Sequence, residues 1–138
     1  FNDGSCRQHR LLQTTINDIR AMFNLRQELH REPTDFSNLI SEMASGKAQL
    51  VDIREKEEWN QARFKGAVNI PLSGLAKGVG IDALKEIKNS NRTILMHCHT
   101  GSRVRMAERM LSAYGCTDFQ ILPTTMSVMA NNGFELVY

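Results

Sequence analysis

Thr93-Ile94-Leu95-Met96-His97-Cys98-His99-Thr100-Gly101-Ser102-Arg103 is the stretch that decides how this chain of 138 residues is read. Its first five residues form a short, mainly apolar run of strand length. A polar, glycine-containing loop of six residues, Cys98 to Arg103, follows. Val104, Ala107, Leu111 and Tyr114 then recur at steps of three and four, the stripe of a helix whose end suits Gly115. A strand, a loop holding a cysteine and a helix therefore succeed one another.

Outward from this unit the alternation continues. Gln49 to Ile53 reads as a buried strand, followed by a charged helix from Glu55 to about Ala62. Ala67 to Ile70 is a strand stopped by Pro71. Gly74, Gly78 and Gly80 mark Ser73 to Gly80 as mostly loop. Ile81, Leu84 and Ile87 then set a short helix. Downstream, Phe119 to Leu122 is a last strand and Thr124 to Asn131 a last helix. Upstream, Leu12, Ile16, Ile19 and Phe23 give an amphipathic helix over Leu11 to His30, ended by Pro33. Another helix opens at Thr34 or Asp35 and buries Phe36, Leu39, Ile40 and Met43. The expectation is an α/β domain with a parallel sheet flanked by helices over 34–138, preceded by an N-terminal helical extension over 1–33. Ligands bind such sheets beyond the carboxyl ends of their strands, where Cys98 falls.

Composition narrows the function. A net charge of +2 and the lack of a basic run with interleaved aromatics argue against a nucleic-acid or anionic-membrane partner. No apolar stretch approaches a membrane span, and Phe1 to Arg10 has no signal-peptide core. The expected compartment is the cytoplasm, with a periplasmic or organellar one left open. Cys6, Cys98 and Cys116 are too few and too far apart for a disulfide framework. His97-Cys98-His99 resembles a metal cluster, but neighbouring strand residues point to opposite faces, so no metal site is expected.

The loop carries the chemistry. Gly101 allows backbone angles closed to other residues, so the N–H groups can curl inward. The helix start adds free N–H groups and the positive end of its dipole. Cys98 in such a cradle is favoured as thiolate, the nucleophilic form. Arg103 and Arg105 add positive charge for an anionic donor. Thr100 and Ser102 offer hydroxyls to the sulfur or to a second sulfur bound to it. The polar neighbours argue against burial of this loop.

On three motifs in order the chain resembles the rhodanese family: Leu50-Val51-Asp52-Ile53-Arg54-Glu55 with Glu57-Glu58-Trp59, Lys65-Gly66-Ala67-Val68-Asn69-Ile70-Pro71-Leu72, and Cys98-His99-Thr100-Gly101-Ser102-Arg103. The resemblance covers about Ala48 to Leu122. It implies a rhodanese-like parallel β-sheet flanked by helices and a sulfurtransferase. Its Cys98 would take a sulfane sulfur from thiosulfate or a persulfide and pass it to a thiol or cyanide. His99, Thr100, Gly101, Ser102, Arg103 and Val104 would line the substrate site. Asp52 and Arg54 match the family's Asp-x-Arg signature and are expected to support the fold, with Arg54 paired to a carboxylate such as Glu58. No cofactor is implied. Partners would be a small sulfur donor and a thiol acceptor, with a protein persulfide as a further candidate partner, and the N-terminal helix is a candidate dimer contact.

Two other readings stay open. One is a rhodanese-fold module that senses redox state or carries sulfur for a partner. The other is a phosphatase or arsenate reductase. Tyrosine phosphatases close the loop with an arginine after five intervening residues, and that position here is Val104. The chain also departs from the family at Ala62-Arg63-Phe64 and at Pro123-Thr124-Thr125-Met126, so the mouth of the site differs.

Overall fold

The computed structural model describes residues 35–113 and 118–138. The expected helix over 11–30, its boundary at residue 33, its dimer role, Cys6, Tyr114, Gly115 and Cys116 lie outside these residues.

Helix α1 (Phe36–Ala44) starts where the Asp35 carboxylate accepts the Asn38 N–H at 3.2 Å, which satisfies one of the free amides of the first turn. Phe36 and Leu39 are buried, while Ile40 and Met43 pack at the edge of the same cluster. Gly46, at φ +80°, turns the chain into strand β1 (Ala48–Asp52). Helix α2 (Lys56–Gln61) follows, with Glu55 as N-cap and a reciprocal capping box formed with Glu58.

Strand β3 (Val68–Asn69) leads to helix α3 (Leu72–Ala76), then helix α4 (Ile81–Asn89) and strand β4 (Thr93–His97). Helix α5 (Ser102–Ala113), strand β5 (Gln120–Ile121) and helix α6 (Met126–Asn131) complete the alternation. Two pairs of residues, β2 (Arg63–Phe64) and β6 (Leu136–Val137), form a small antiparallel ribbon.

The main sheet is parallel, in the order β3-β1-β4-β5. Its two central strands run in register from Ala48 opposite Thr93 to Asp52 opposite His97. Both faces of the centre are covered, which explains why β1 and β4 read as apolar runs without polar alternation. Val51, Ile94, Met96 and Cys98 face one core, with Leu84, Val104, Ala107 and Leu111 of the helices on that side. Leu50 and Leu95 face the other, with Phe36, Phe64, Met126 and Phe134. Crossover connections put helices on both faces of a parallel sheet, as expected for an α/β domain.

Two expectations need correction, and one strand pairing was not expected. Residues 72–76, within the stretch expected as loop, form a helix. Pro71, at φ −62°, precedes it in an extended N-cap conformation, and Leu75 is wholly buried, so packing outweighs the cost of Gly74. The β2–β6 ribbon has two residues per strand, too short for any periodic signal. Helix α5 begins at Ser102, so Ser102 and Arg103 belong to its first turn rather than to the loop. No helix among the described residues is long and apolar enough to cross a membrane.

Candidate active site

Cys98 is the first residue beyond β4, at the carboxyl edge of the sheet between β1 and β5. Strand alternation turns it to the Val51 side and His97 to the Phe64 side, whose rings meet edge-on at 5.2 Å. The two side chains therefore do not converge.

The Sγ of Cys98 accepts a hydrogen bond from the Gly101 N–H at 3.1 Å. Gly101 sits at φ +99°, a conformation that glycine adopts without penalty. A Cβ on this residue would lie 2.8 Å from the Pro123 carbonyl carbon and 3.1 Å from the Thr124 nitrogen. Glycine is thus required twice, once by the curl of the loop and once by the segment after β5 that closes against it. Met126 donates its N–H to the His99 carbonyl at 3.0 Å, tying α6 to the same loop.

Burial differs from the expectation. His99, Thr100 and Ser102 are exposed, but Cys98 is fully covered and Gly101 is buried. The polar side chains turn outward and leave the sulfur beneath the backbone. Thr100 and Ser102 place their hydroxyls 3.4 Å from each other, and the hydrogen bond on Sγ comes from Gly101. Val104 is fully buried in the core, so its side chain cannot line an open mouth. Arg105 is exposed on α5.

The arginines also pair differently from the expectation. Arg54 does not take Glu58. Its Nε lies 3.1 and 3.0 Å from the two Asp52 oxygens, and its Nη2 reaches Oδ2 at 2.8 Å. A further bond runs from Nη2 to the Ala62 carbonyl at 2.6 Å. Asp52 also accepts the Arg54 backbone N–H at 2.9 Å. Both residues are buried, so this pair organises the strand end and does not reach the mouth. Asn69 supports it by donating to the carbonyls of Asp52 and Arg54.

Glu58 instead grips Arg103 through two hydrogen bonds. This contact, more than any other, lowers the Glu58 pKa from 4.5 to about 2, while partial burial opposes it and the Glu55 N–H assists. The positive charge expected of Arg103 is therefore largely balanced.

His97 has no role in the site expected from the sequence. The ring is wholly buried, with Nδ1 at 3.1 Å from the Cys98 carbonyl. A carbonyl oxygen only accepts, so Nδ1 carries the proton and donates. Nε2 stands 3.7 Å from the Asp52 Oδ2 without a hydrogen-bond partner. Burial holds the His97 pKa below its ordinary 6.5, with Arg54 adding to the effect and Asp52 and the Cys98 carbonyl opposing it. A period-two reading of β4 was enough to place His97 opposite Cys98. Its partner at Asp52 depended on the β1–β4 register.

Comparison with known proteins bears on the family and the fold. The profile of the rhodanese-like domain matches residues 35–129. Protein YqhL of Bacillus subtilis is 37% identical over 75 residues, covering 52% of this chain and 52% of that protein. Thiosulfate sulfurtransferase PspE of Escherichia coli is 28% identical over 67 residues, covering 49% and 61% respectively. The chain thus spans only about half to three fifths of these relatives' own length. A solved structure from Lactobacillus plantarum matches with a TM-score of 0.62 at 19% identity, over 88% of this chain and 99% of that one. That likeness is one of fold.

Proposed function

This chain belongs to the rhodanese-like domain family, and from that premise we propose that it is a sulfurtransferase working through a persulfide on Cys98. The observation that carries the reading is the Gly101 N–H donated to the Cys98 sulfur at a strand-to-helix turn. A donor fixed there before reaction stabilises negative charge on the attacking sulfur and on the persulfide that replaces it, without reorganisation cost.

With thiosulfate as donor, the Cys98 thiolate attacks the outer, sulfane sulfur. A new S–S bond forms to Cys98, the S–S bond of thiosulfate breaks, and sulfite leaves with the electron pair. An acceptor thiolate or cyanide then attacks the terminal sulfur of the persulfide. The Cys98 thiolate departs, and the product is a new persulfide or thiocyanate. A small persulfide serves equally as donor, with its thiolate as leaving group. Donor and acceptor would approach past the exposed His99, Thr100 and Ser102. A protein persulfide is the larger partner of the same chemistry. The phosphatase alternative draws no support, since the position that would close its loop with arginine is the buried Val104.

The test is incubation with thiosulfate and cyanide, following thiocyanate by absorbance and a 32 Da adduct by mass spectrometry. The expected result is both signals in the wild type and neither in Cys98→Ser. No adduct in the wild type, or the same adduct in Cys98→Ser, overturns the proposal. A Cys98 that oxidises reversibly but never transfers sulfur points to the redox-sensing alternative.

A further inference from the structure

The sulfur cradle is held from behind. Three successive carbonyls at the entry to the loop are each taken by a donor from another part of the fold or from a side chain. The His97 carbonyl accepts the Ile53 N–H at 3.0 Å, the Cys98 carbonyl faces His97 Nδ1 at 3.1 Å, and the His99 carbonyl accepts the Met126 N–H at 3.0 Å. In a trans peptide the C=O and the following N–H point in opposite directions, and the described residues contain no cis bond. Pinning the Cys98 carbonyl toward the His97 ring, on the Phe64 side, turns the His99 N–H toward the other side, where the sulfur lies. Pinning the His99 carbonyl toward α6 orients the Thr100 N–H in the same way. The Gly101 N–H, next in line, is the one already on Sγ.

We infer that His97 and the backbone amide of Met126 are positioning donors that keep the Cys98–His99 and His99–Thr100 peptides from flipping. This rests on Cys98 being the nucleophile. A flip of either peptide would present a carbonyl lone pair to the thiolate in place of an N–H, converting a stabilising dipole into a repelling one. His97 suits this task because its ring is closed off from solvent and has one proton to give. That proton goes to the carbonyl, and Nε2 is left without a partner beside Asp52. A buried polar atom left unsatisfied costs stability.

Two independent comparisons test the two pins in the full chain. His97→Phe keeps a ring against Phe64 but removes the donor, while His97→Asn supplies an amide N–H in place of Nδ1. Met126 is the first residue of α6 and follows Thr125 at ψ 154°, so proline fits its backbone. Met126→Pro and Met126→Ala both lose the side chain, but only the proline loses the N–H.

Iodoacetamide alkylation at neutral pH, read by mass spectrometry on the Cys98 peptide, reports nucleophilicity whether or not sulfur is transferred. Sulfur loading from thiosulfate is read beside it, and thermal midpoints check folding. The expected result is an alkylation rate about three- to tenfold lower in His97→Phe than in wild type, with recovery in His97→Asn. Met126→Pro should fall below Met126→Ala by a similar factor. The His97→Phe midpoint should stay near the wild-type value, because the variant relieves Nε2 but leaves the Cys98 carbonyl unpaired, and a rate loss without a matching loss of stability is what a merely structural role would not give. Equal alkylation rates in either comparison overturn the assignment for that donor. Absence of sulfur loading in the wild type would instead count against the sulfurtransferase reading, and the alkylation comparison would stand apart from it.

Discussion

Glu58 and Arg103, 45 residues apart, meet fork to fork, with Nη1 on Oε2 at 2.6 Å and Nη2 on Oε1 at 2.9 Å. The same Glu58 Oε2 accepts the Glu55 N–H at 3.0 Å, closing the capping box of α2. One carboxylate therefore starts one helix and grips the first turn of another, beside the loop that carries Cys98. Bidentate geometry of this kind adds direction to what would otherwise be a weak, half-exposed pair.

The first expected consequence is on acid stability. The Glu58 pKa is lowered from 4.5 to about 2, so the folded state binds its proton less readily than the unfolded chain. Its stabilising contribution is complete above the ordinary value and is lost as pH falls from 4.5 toward 2. Glu58→Gln keeps an oxygen for the Glu55 N–H but removes this dependence. Denaturant titrations from pH 6 to pH 2.5 should show a shallower loss in the variant than in wild type. Parallel curves would mean that the pair does not persist in solution.

His97 acts in a higher pH range, and with the same sign. Its folded pKa lies below the ordinary 6.5 because of burial, so at acidic pH the unfolded chain takes a proton that the folded chain refuses. Stability should decline as pH falls below about 6.5. His97→Phe should flatten that part of the curve between pH 7.5 and 5.5. The difference between the two proteins isolates this ring from the other histidines. An unchanged slope would show that His97 takes up its proton as readily in the fold as in the unfolded chain.

Gly101→Ala should be among the most damaging small substitutions. The backbone stands at φ +99°, and the added carbon would lie 2.8 Å from the Pro123 backbone. Strain of that kind costs about 1–3 kcal/mol. Displacing the N–H from Sγ should also slow sulfur loading, by roughly ten- to a hundredfold. Thermal unfolding and the 32 Da adduct rate measure the two effects separately. A variant with wild-type stability would show that the Pro123–Thr124 segment can move aside.

Asp52→Asn should destabilise by about 3–5 kcal/mol, because it strands the buried Arg54 guanidinium. The double variant Asp52→Asn/Arg54→Met should recover much of that loss, since no buried charge then lacks a partner. A double-mutant cycle in denaturant gives the coupling. Purely additive losses would mean that the two side chains do not depend on each other.

Much of this protein is legible in its sequence, for a physical reason. An apolar run of strand length depends only on neighbours along the chain, so Gln49 to Ile53 and Thr93 to His97 read as strands. The 104–107–111 spacing likewise reads as a helix. A cysteine and a glycine between such a strand and helix place Cys98 and Gly101 at the carboxyl edge of the sheet. That much was set locally, and the family motifs add to it.

Tertiary structure alone decided the partners. Arg54 lies between two reachable carboxylates, and which one it takes follows from where α2 docks, not from sequence distance. Asp52 won, which left Glu58 for Arg103. His97 owes its place beside Asp52 to the β1–β4 register and its covering to Phe64, whose strand pairs with the far end of the chain. The Pro123–Thr124 wall meets Gly101 only because β5 sits beside β4. A sequence specifies which side chains seek burial. Which charges, rings and carbonyls then meet is set by contacts between distant segments, which no local pattern encodes.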